Sequence, residues 1–573
     1  MRSRFVLRVR ILSLFAVLGA IFLLTRLYFI QIVHGEEYAR EGQGQYMEAA
    51  GEEAPRGDIF FTKKDGERVA AAVMQNGWRI AINPKNIEDP ERAYSQLSAA
   101  AASLEKERFL KSATKKDDPY EEVAFKLTDD EASAVRREEL PGVITVRDEW
   151  RFYPAGSLAA NTLGFVGYMG DKRQGVYGLE RYYEDILRHD SGGLYVNPFA
   201  EIFSNVQAFV TADPMSQKGS IITALEPAAQ QKLEGTLKTV METYSPRIAG
   251  GIVMDPKTGE IVAMAVNPSF DPNQYNLVED ARSYANPLVE NRYEMGSIVK
   301  PLTVAAAIDA GAITPKTTYE DRGCITKTGY KLCNFDFKGR GVVDMQQVLS
   351  QSLNTGVSFA VDKMGNHTFG EYVKKFGLGE ETGIDLPGEI AGNIDNLYVQ
   401  GAADVDFASA SFGQSIAITP IEMIRALAAL ANEGRLPEPH IATAVRNEAG
   451  IERKFAFADQ QQVLKPETAE TVTNMLINVY DDALLEGVLK QEHYSIAAKT
   501  GTAQIANPGG GGYYTDRWLH SFFGYFPAHD PKFIVLLYAV EPRGEMYASR
   551  TLARPFDELA RFLINYFDIP PDR

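Results

Sequence analysis

Residues 11–33 read ILSLFAVLGAIFLLTRLYFIQIV, a 23-residue apolar run interrupted by a single charge, Arg26, and preceded by Arg2, Arg4, Arg8 and Arg10. As a helix it is long enough to cross about 30 Å of hydrocarbon. The arginine cluster keeps residues 1–10 cytoplasmic and sends the remainder of the chain outside. Arg26 lies toward the far end, where a long side chain reaches the interface. No small-x-small cleavage site follows the run, which predicts an uncleaved, single-pass anchor rather than a signal peptide. The expected location is therefore the cytoplasmic (inner) membrane, with the folded part extracytoplasmic. At 573 residues the chain is too long for one compact domain. A net charge of −17 argues against a nucleic-acid binder, and two cysteines with seven scattered histidines give no zinc pattern.

Beyond the anchor the texture changes once. Residues 34–220 mix strand-like stretches, around 58–61 and 69–73, and a strand, a turn and a Gly-punctuated loop in GVITVRDEWRFYPAGSLAANTLGFVGYMG (142–170), with Ala/Glu/Arg-rich helical segments at 91–113 and 129–140. They predict an elongated, non-catalytic pedestal. From 221 to 573 a second pattern holds. An amphipathic helix (226–244) precedes GGIVMDPKTGEIVAMAV, two strands around a turn. A mostly helical stretch runs to about 480, three strands follow, and a helix closes the chain. Strands at both ends with helices between predict an α+β domain with one antiparallel, five-stranded sheet flanked by helices.

Within it, RYEMGSIVKPLTVAAAIDAG (292–311) places Ser297 and Lys300 one turn apart at the start of an apolar helix, with Pro301 fixing that start. A serine hydroxyl needs a base to become a nucleophile, and a lysine kept neutral by burial supplies one. Ser-x-x-Lys also occurs at Ser103/Lys106 and Ser112/Lys115, but in charged surroundings that read as solvated helix faces. Ser352-Leu-Asn354 offers a hydroxyl to relay a proton and an amide to hold Lys300 and a substrate carbonyl; alone it is also a plausible helix cap. Lys-Thr-Gly occurs at 257–259, 327–329 and 499–501. The first two sit in expected turns. The third, in SIAAKTGTAQI, presents Lys499, Thr500, Gly501 and Thr502 on a strand suited to bind a carboxylate and let a substrate backbone approach.

Only 297, 352 and 499 satisfy order and context together, and the trio is that of serine β-lactamases and penicillin-binding proteins. Four further stretches share the resemblance: APRGDIF (54–60), RFYPAGSLAANTLGFVG (151–167) with GLERYY (178–183), GGIVMDPKTGEIVAMAVNPSFDPNQY (250–275) and FGQSIAITPIEM (412–423). The chain resembles a class B penicillin-binding protein, the monofunctional peptidoglycan D,D-transpeptidase. It departs from that family at Ser415, where Gly is usual, and in FFTKKDG (60–66). The resemblance implies Ser297 as nucleophile, Lys300 as its base, and Ser352 and Asn354 as proton shuttle and substrate orienter. It implies Lys499, Thr500 and Thr502 as the carboxylate site for a D-Ala-D-Ala stem peptide, and the backbone N–H groups of Ser297 and Thr502 as oxyanion hole. It also implies covalent inhibition by β-lactams, no metal or organic cofactor, and a SEDS-type membrane glycan polymerase as partner. A D,D-carboxypeptidase or β-lactamase-type hydrolase, and an idle scaffold for that polymerase, remain as alternatives.

Cys324 and Cys333 flank ITKTGYKL. With Thr328-Gly329 as a two-residue turn they stand opposite each other, about 4.5 Å apart at a non-hydrogen-bonded pair, which predicts a disulfide. His520 and Trp518 are expected near the site as packing residues.

Overall fold

The computed structural model describes residues 56–188 and 218–573, apart from 171, 448, 508 and 511. The expected anchor at 11–33 lies outside these residues. Among the described residues no helix is long and apolar enough to cross a membrane. They fall into two compact units, Asn76–Glu149 and a larger one of residues 56–75 with Trp150–Arg573. The change of texture near 220 thus does not mark the division between them.

In the smaller unit residues 76–82 pair with the strand Glu121–Leu127, Ile80 opposite Ala124. Helices Pro90–Ala100, Lys106–Ala113 and Asp129–Arg137 pack on it. Each start is encoded locally. Asp89 accepts the Arg92 N–H ahead of Pro90, and Thr128 and Glu131 form a reciprocal capping box. Leu97 and Phe109 close on Ile80, Ile82, Val123 and Leu127.

The larger unit is built on five antiparallel strands: β1 (Ile248–Met254), β2 (Ile261–Asn267), β3 (Ala497–Ala506), β4 (Tyr513–Phe526) and β5 (Phe533–Val540). Their spatial order is β3-β4-β5-β1-β2. β1 and β2 form the expected hairpin, and β5 pairs with β1 from Ile534↔Met254 to Val540↔Ile248, so both ends of the unit complete one sheet. Five helices frame it: α1 (Pro227–Tyr244), α2 (Lys300–Asp309), α3 (Asn354–Met364), α4 (Pro420–Ala431) and α5 (Ala553–Tyr566). The two-residue period of the strands sorts their side chains. Phe522, Val535 and Leu537 meet Leu233 and Leu237 of α1 and Leu559 and Leu563 of α5. Phe523, Ile534 and Leu536 meet Leu302 of α2 and Ile424 and Leu427 of α4. With both faces covered, β5 is buried throughout its length. α2 is buried from Lys300 to Ala307, as its apolar circumference requires.

Between α2 and α3 the chain departs from the mostly helical expectation. It makes four short strands, Thr318–Asp321, Cys324–Lys327, Tyr330–Cys333 and Gly341–Asp344. The middle pair turns at Thr328 (φ 48) and Gly329 (φ 83), the left-handed conformations a two-residue hairpin needs.

The stretches APRGDIF, RFYPAG and GLERYY converge in this unit. The Arg56 guanidinium donates to Glu180 Oε2 at 2.7 Å and to Glu184 at 2.7 Å, while Arg151 donates to Glu180 Oε1 at 2.6 Å. Glu180 is fully buried. Burial opposes its ionisation, but the two guanidiniums outweigh burial and hold the carboxyl below the usual carboxylate range.

Candidate active site

The chain enters α2 through a 3-10 turn, Gly296–Val299, so Ser297 sits on a tight turn and Lys300 on the first residue of the helix proper. In a 3-10 turn residues i and i+3 eclipse, which puts both side chains on one side. Gly296 (φ 65) rests against β3: a Cβ there would lie 3.0 Å from the Thr502 carbonyl. Gly501 permits an equally close approach, since a Cβ on it would lie 2.6 Å from Met295 O and 2.2 Å from Ser521 Oγ. The turn bearing Ser297 is therefore seated directly on the Lys-Thr-Gly-Thr strand.

Ser352 stands just before α3 at φ 54, a left-handed backbone that costs a non-glycine residue about 1–2 kcal/mol. That conformation aims both its oxygens at Lys300. Lys300 Nζ donates to Ser352 O at 2.6 Å and to Ser352 Oγ at 3.1 Å. Lys499 Nζ reaches the same hydroxyl at 3.0 Å and also donates to Thr500 O at 3.0 Å. Ser352 Oγ thus lies between the two lysine Nζ atoms contributed by α2 and β3.

Both lysines are buried, at 0% and 2% exposure, and no carboxylate pairs with either among the described residues. Burial, then the neighbouring Lys499, pushes the Lys300 amine well below its ordinary range. Burial pulls Lys499 down to about 7. Such an environment favours the neutral amine that a general base requires.

Asn354 has a different partner from the expected one. Its Nδ2 donates to the backbone carbonyl of Cys333 at 2.8 Å, and Lys300 is held by Ser352 instead. Cys333 belongs to the hairpin in which Cys324 and Cys333 face each other and are joined, S–S 2.11 Å and Cα–Cα 4.0 Å. Thr502 Oγ1 accepts the Ala548 N–H at 3.0 Å, which leaves its own proton free to donate. His520, opposite Thr502 on β4, is buried between Thr551 Oγ1 (2.8 Å) and Met546 O (2.9 Å), and burial pulls it down to about 4. It acts as a neutral tie. Trp518 pairs with Gln504 farther along β4.

The other copies of the short motifs are structural. Ser103 bonds Phe125 O while Lys106 pairs with Glu91; Ser112 and Lys115 both bond Glu121. Lys257 pairs with Asp530 beside a turn, and Lys327 with Asp362 beside the disulfide hairpin. Two residues escaped the sequence reading. Ser521 Oγ donates to Met295 O at 2.7 Å, and Glu294 carries a carboxyl that burial pushes up to about 7. Neither has a sequence signature: Ser521 lies within an apolar strand, and Glu294 follows an arginine and a tyrosine in what reads as a polar entry to the helix.

A family model described as the penicillin binding protein transpeptidase domain matches residues 249–560, and one for the penicillin-binding protein dimerisation domain matches residues 51–201. Stage V sporulation protein D of Bacillus subtilis is 29% identical over 560 residues, covering 96% of this chain and 84% of that protein. Peptidoglycan D,D-transpeptidase FtsI of Escherichia coli is 23% identical, covering 97% of this chain and 91% of that protein. The crystal structure of penicillin binding protein 3 from Mycobacterium tuberculosis complexed with aztreonam matches with a TM-score of 0.69 at 24% identity, covering 91% of this chain and 98% of that one. With a transpeptidase domain, a dimerisation domain and the Ser297, Ser352 and Lys499 motifs gathered at one site, the chain belongs to the penicillin-binding protein transpeptidase family, as a class B member.

Proposed function

We propose that this protein is a peptidoglycan D,D-transpeptidase held in the cytoplasmic membrane by residues 11–33, with its catalytic unit outside. The observation that carries the reading is the buried, carboxylate-free pair Lys300 and Lys499 meeting at Ser352 Oγ beside the Ser297 turn. Neutral Lys300 removes the Ser297 hydroxyl proton as Oγ attacks the carbonyl of the penultimate D-Ala. Ser352 carries a proton toward the departing amine of the terminal D-Ala. Lys499, Thr500 and Thr502 receive the terminal carboxylate, and Gly501 lets the substrate backbone lie along β3. The N–H groups of Ser297 and Thr502 stabilise the tetrahedral oxyanion, each such donor being worth roughly 3 kcal/mol. Asn354, fixed by Cys333 O, orients the stem-peptide amide. The amine of a second stem peptide then displaces Ser297 and forms the cross-link. A β-lactam follows the first half of this path and remains as an acyl-serine.

Residues 34–220 include the dimerisation-type segment. With the anchor, they are the surface we assign to a SEDS-type glycan polymerase. The test is a reaction of full-length protein in detergent with lipid-linked disaccharide pentapeptide, a polymerase and a labelled acceptor. D-Ala released in step with cross-linked dimer supports the transpeptidase. D-Ala released without dimer identifies a carboxypeptidase, and neither product, with the Ser297→Ala variant indistinguishable, identifies a scaffold.

A further inference from the structure

Glu294 lies three residues before Ser297 and takes no part in the chemistry above. Around it the nucleophile turn is laced to a neighbouring loop. Tyr293 exchanges both backbone hydrogen bonds with Ile418 at 2.9 Å, and Gly296 N–H donates to Gly413 O at 3.0 Å. Glu294 adds a side-chain tie. Its Oε1 accepts the Ser415 N–H at 3.0 Å and the Tyr513 hydroxyl at 3.1 Å. Tyr513 opens β4 and pairs with Ala506 at the end of β3. One oxygen therefore joins the Ser297 turn, the 413–415 loop and the far end of the Lys499–Thr502 strand. Ser415, which replaces the family's usual Gly, holds a left-handed backbone (φ 64), and its Oγ accepts from Ser409 Oγ at 2.7 Å. The second carboxyl oxygen, Oε2, is buried without a hydrogen-bond partner among the described residues. From β4 the carboxyl faces Tyr513, itself held above its usual range by burial and by Glu294; from the loop it faces Ser415. No cation pairs with it among the described residues.

We propose that Glu294 is a positioning residue for the Ser297 turn, and that it does this work as the neutral acid. A neutral carboxyl leaves only an O–H at the unpartnered Oε2 position, whereas a carboxylate leaves a buried charge without a donor there. Burial pushes the group up to about 7, against the opposing bonds from Tyr513 and Ser415, so the proton is exchanged close to neutral pH. An ionised Glu294 shifts toward water or a donor. Gly296 and Ser297 follow it, because they are attached through the same short turn. The inference rests on Ser297 being the nucleophile.

The test uses the full-length protein and measures the Ser297 acylation rate with a penicillin from pH 6 to 8 for wild type, Glu294→Gln and Tyr513→Phe. Glutamine keeps a neutral acceptor and does not ionise. For a group titrating near 7 the neutral fraction falls from ~0.91 at pH 6 to ~0.09 at pH 8, so the ratio of wild-type to Glu294→Gln rates falls about tenfold. Taking the ratio cancels the titration of Lys300 and Lys499, which both proteins share. Tyr513→Phe removes a donor that favours the carboxylate, so its rate relative to wild type rises over the same interval. Ratios that stay constant from pH 6 to 8 overturn the proposal. If Glu294→Gln does not fold, Tyr513→Phe decides alone by the same criterion. Failure of the underlying reading looks different, because wild type then forms no Ser297 adduct at any pH.

Discussion

Gly501→Ala tests how closely the nucleophile turn is seated on β3. The added methyl would stand 2.6 Å from Met295 O and 2.2 Å from Ser521 Oγ. Ser521 does not swing away freely, because it donates to Met295 O at 2.7 Å. Met295 O is backbone, two residues before Ser297. Reaching an ordinary contact of 3.4 Å requires the turn and strand to part by about 0.8 Å. Overpacking of this kind costs about 1–3 kcal/mol of stability. A displacement near 1 Å at reacting atoms costs on the order of 100-fold in rate, or ~2.7 kcal/mol of barrier. The assay is the second-order rate of Ser297 acylation by a fluorescent penicillin, read beside a thermal melt. Gly235→Ala on α1 is the control: nothing lies within 4 Å of its Cβ position, so acylation stays unchanged and the helix gains about 0.5–1 kcal/mol. A Gly501→Ala protein that melts as wild type and acylates within threefold of it refutes the seating.

Two further perturbations follow from buried charge. Lys300→Met keeps the volume of a side chain that is 0% exposed and removes the base, so acylation falls about 10²–10⁴-fold while the melting temperature holds or rises; acylation within threefold of wild type contradicts the base assignment. Because burial and Lys499 push Lys300 downward, the wild-type rate also falls on the acid side as Lys300 takes up a proton. Glu180→Gln leaves the buried Arg151 without its carboxylate and Arg56 with Glu184 alone, and costs about 3–5 kcal/mol in denaturant unfolding. Its carboxyl is held below the usual range, so that stabilisation is present above the pKa of the unfolded glutamate and is lost as pH drops through the lower folded value. A Glu180→Gln cost under 1 kcal/mol at neutral pH goes against the buried-pair account.

The features legible in the sequence are those that local periodicity or turn chemistry controls. The β1–β2 hairpin, the helix start at Pro301 and the opposition of Cys324 and Cys333 around Thr328-Gly329 all depend on neighbours within one hairpin or one turn. The site motifs were readable because order and context separated Ser297 from Ser103 and Ser112. Contacts between distant segments were not readable. Arg56, Arg151 and Glu180 each sat in a recognisable stretch, but nothing in those stretches says that they meet in one buried cluster. Asn354 finds Cys333 O because a hairpin of four-residue strands folds back beside α3. The hairpin itself is legible from Thr328-Gly329, but its placement against Asn354 depends on a contact between segments twenty-one residues apart. Glu294 reads as surface charge until Tyr513, some two hundred residues later, closes over it.

The most direct measurement is of the covalent adduct. Full-length wild-type and Ser297→Ala proteins are incubated with a penicillin, denatured, digested and weighed. The account predicts a long-lived acyl group on the peptide containing Ser297, at one per chain, and none in the variant. A stable adduct on another residue, or equal labelling of Ser297→Ala, contradicts it.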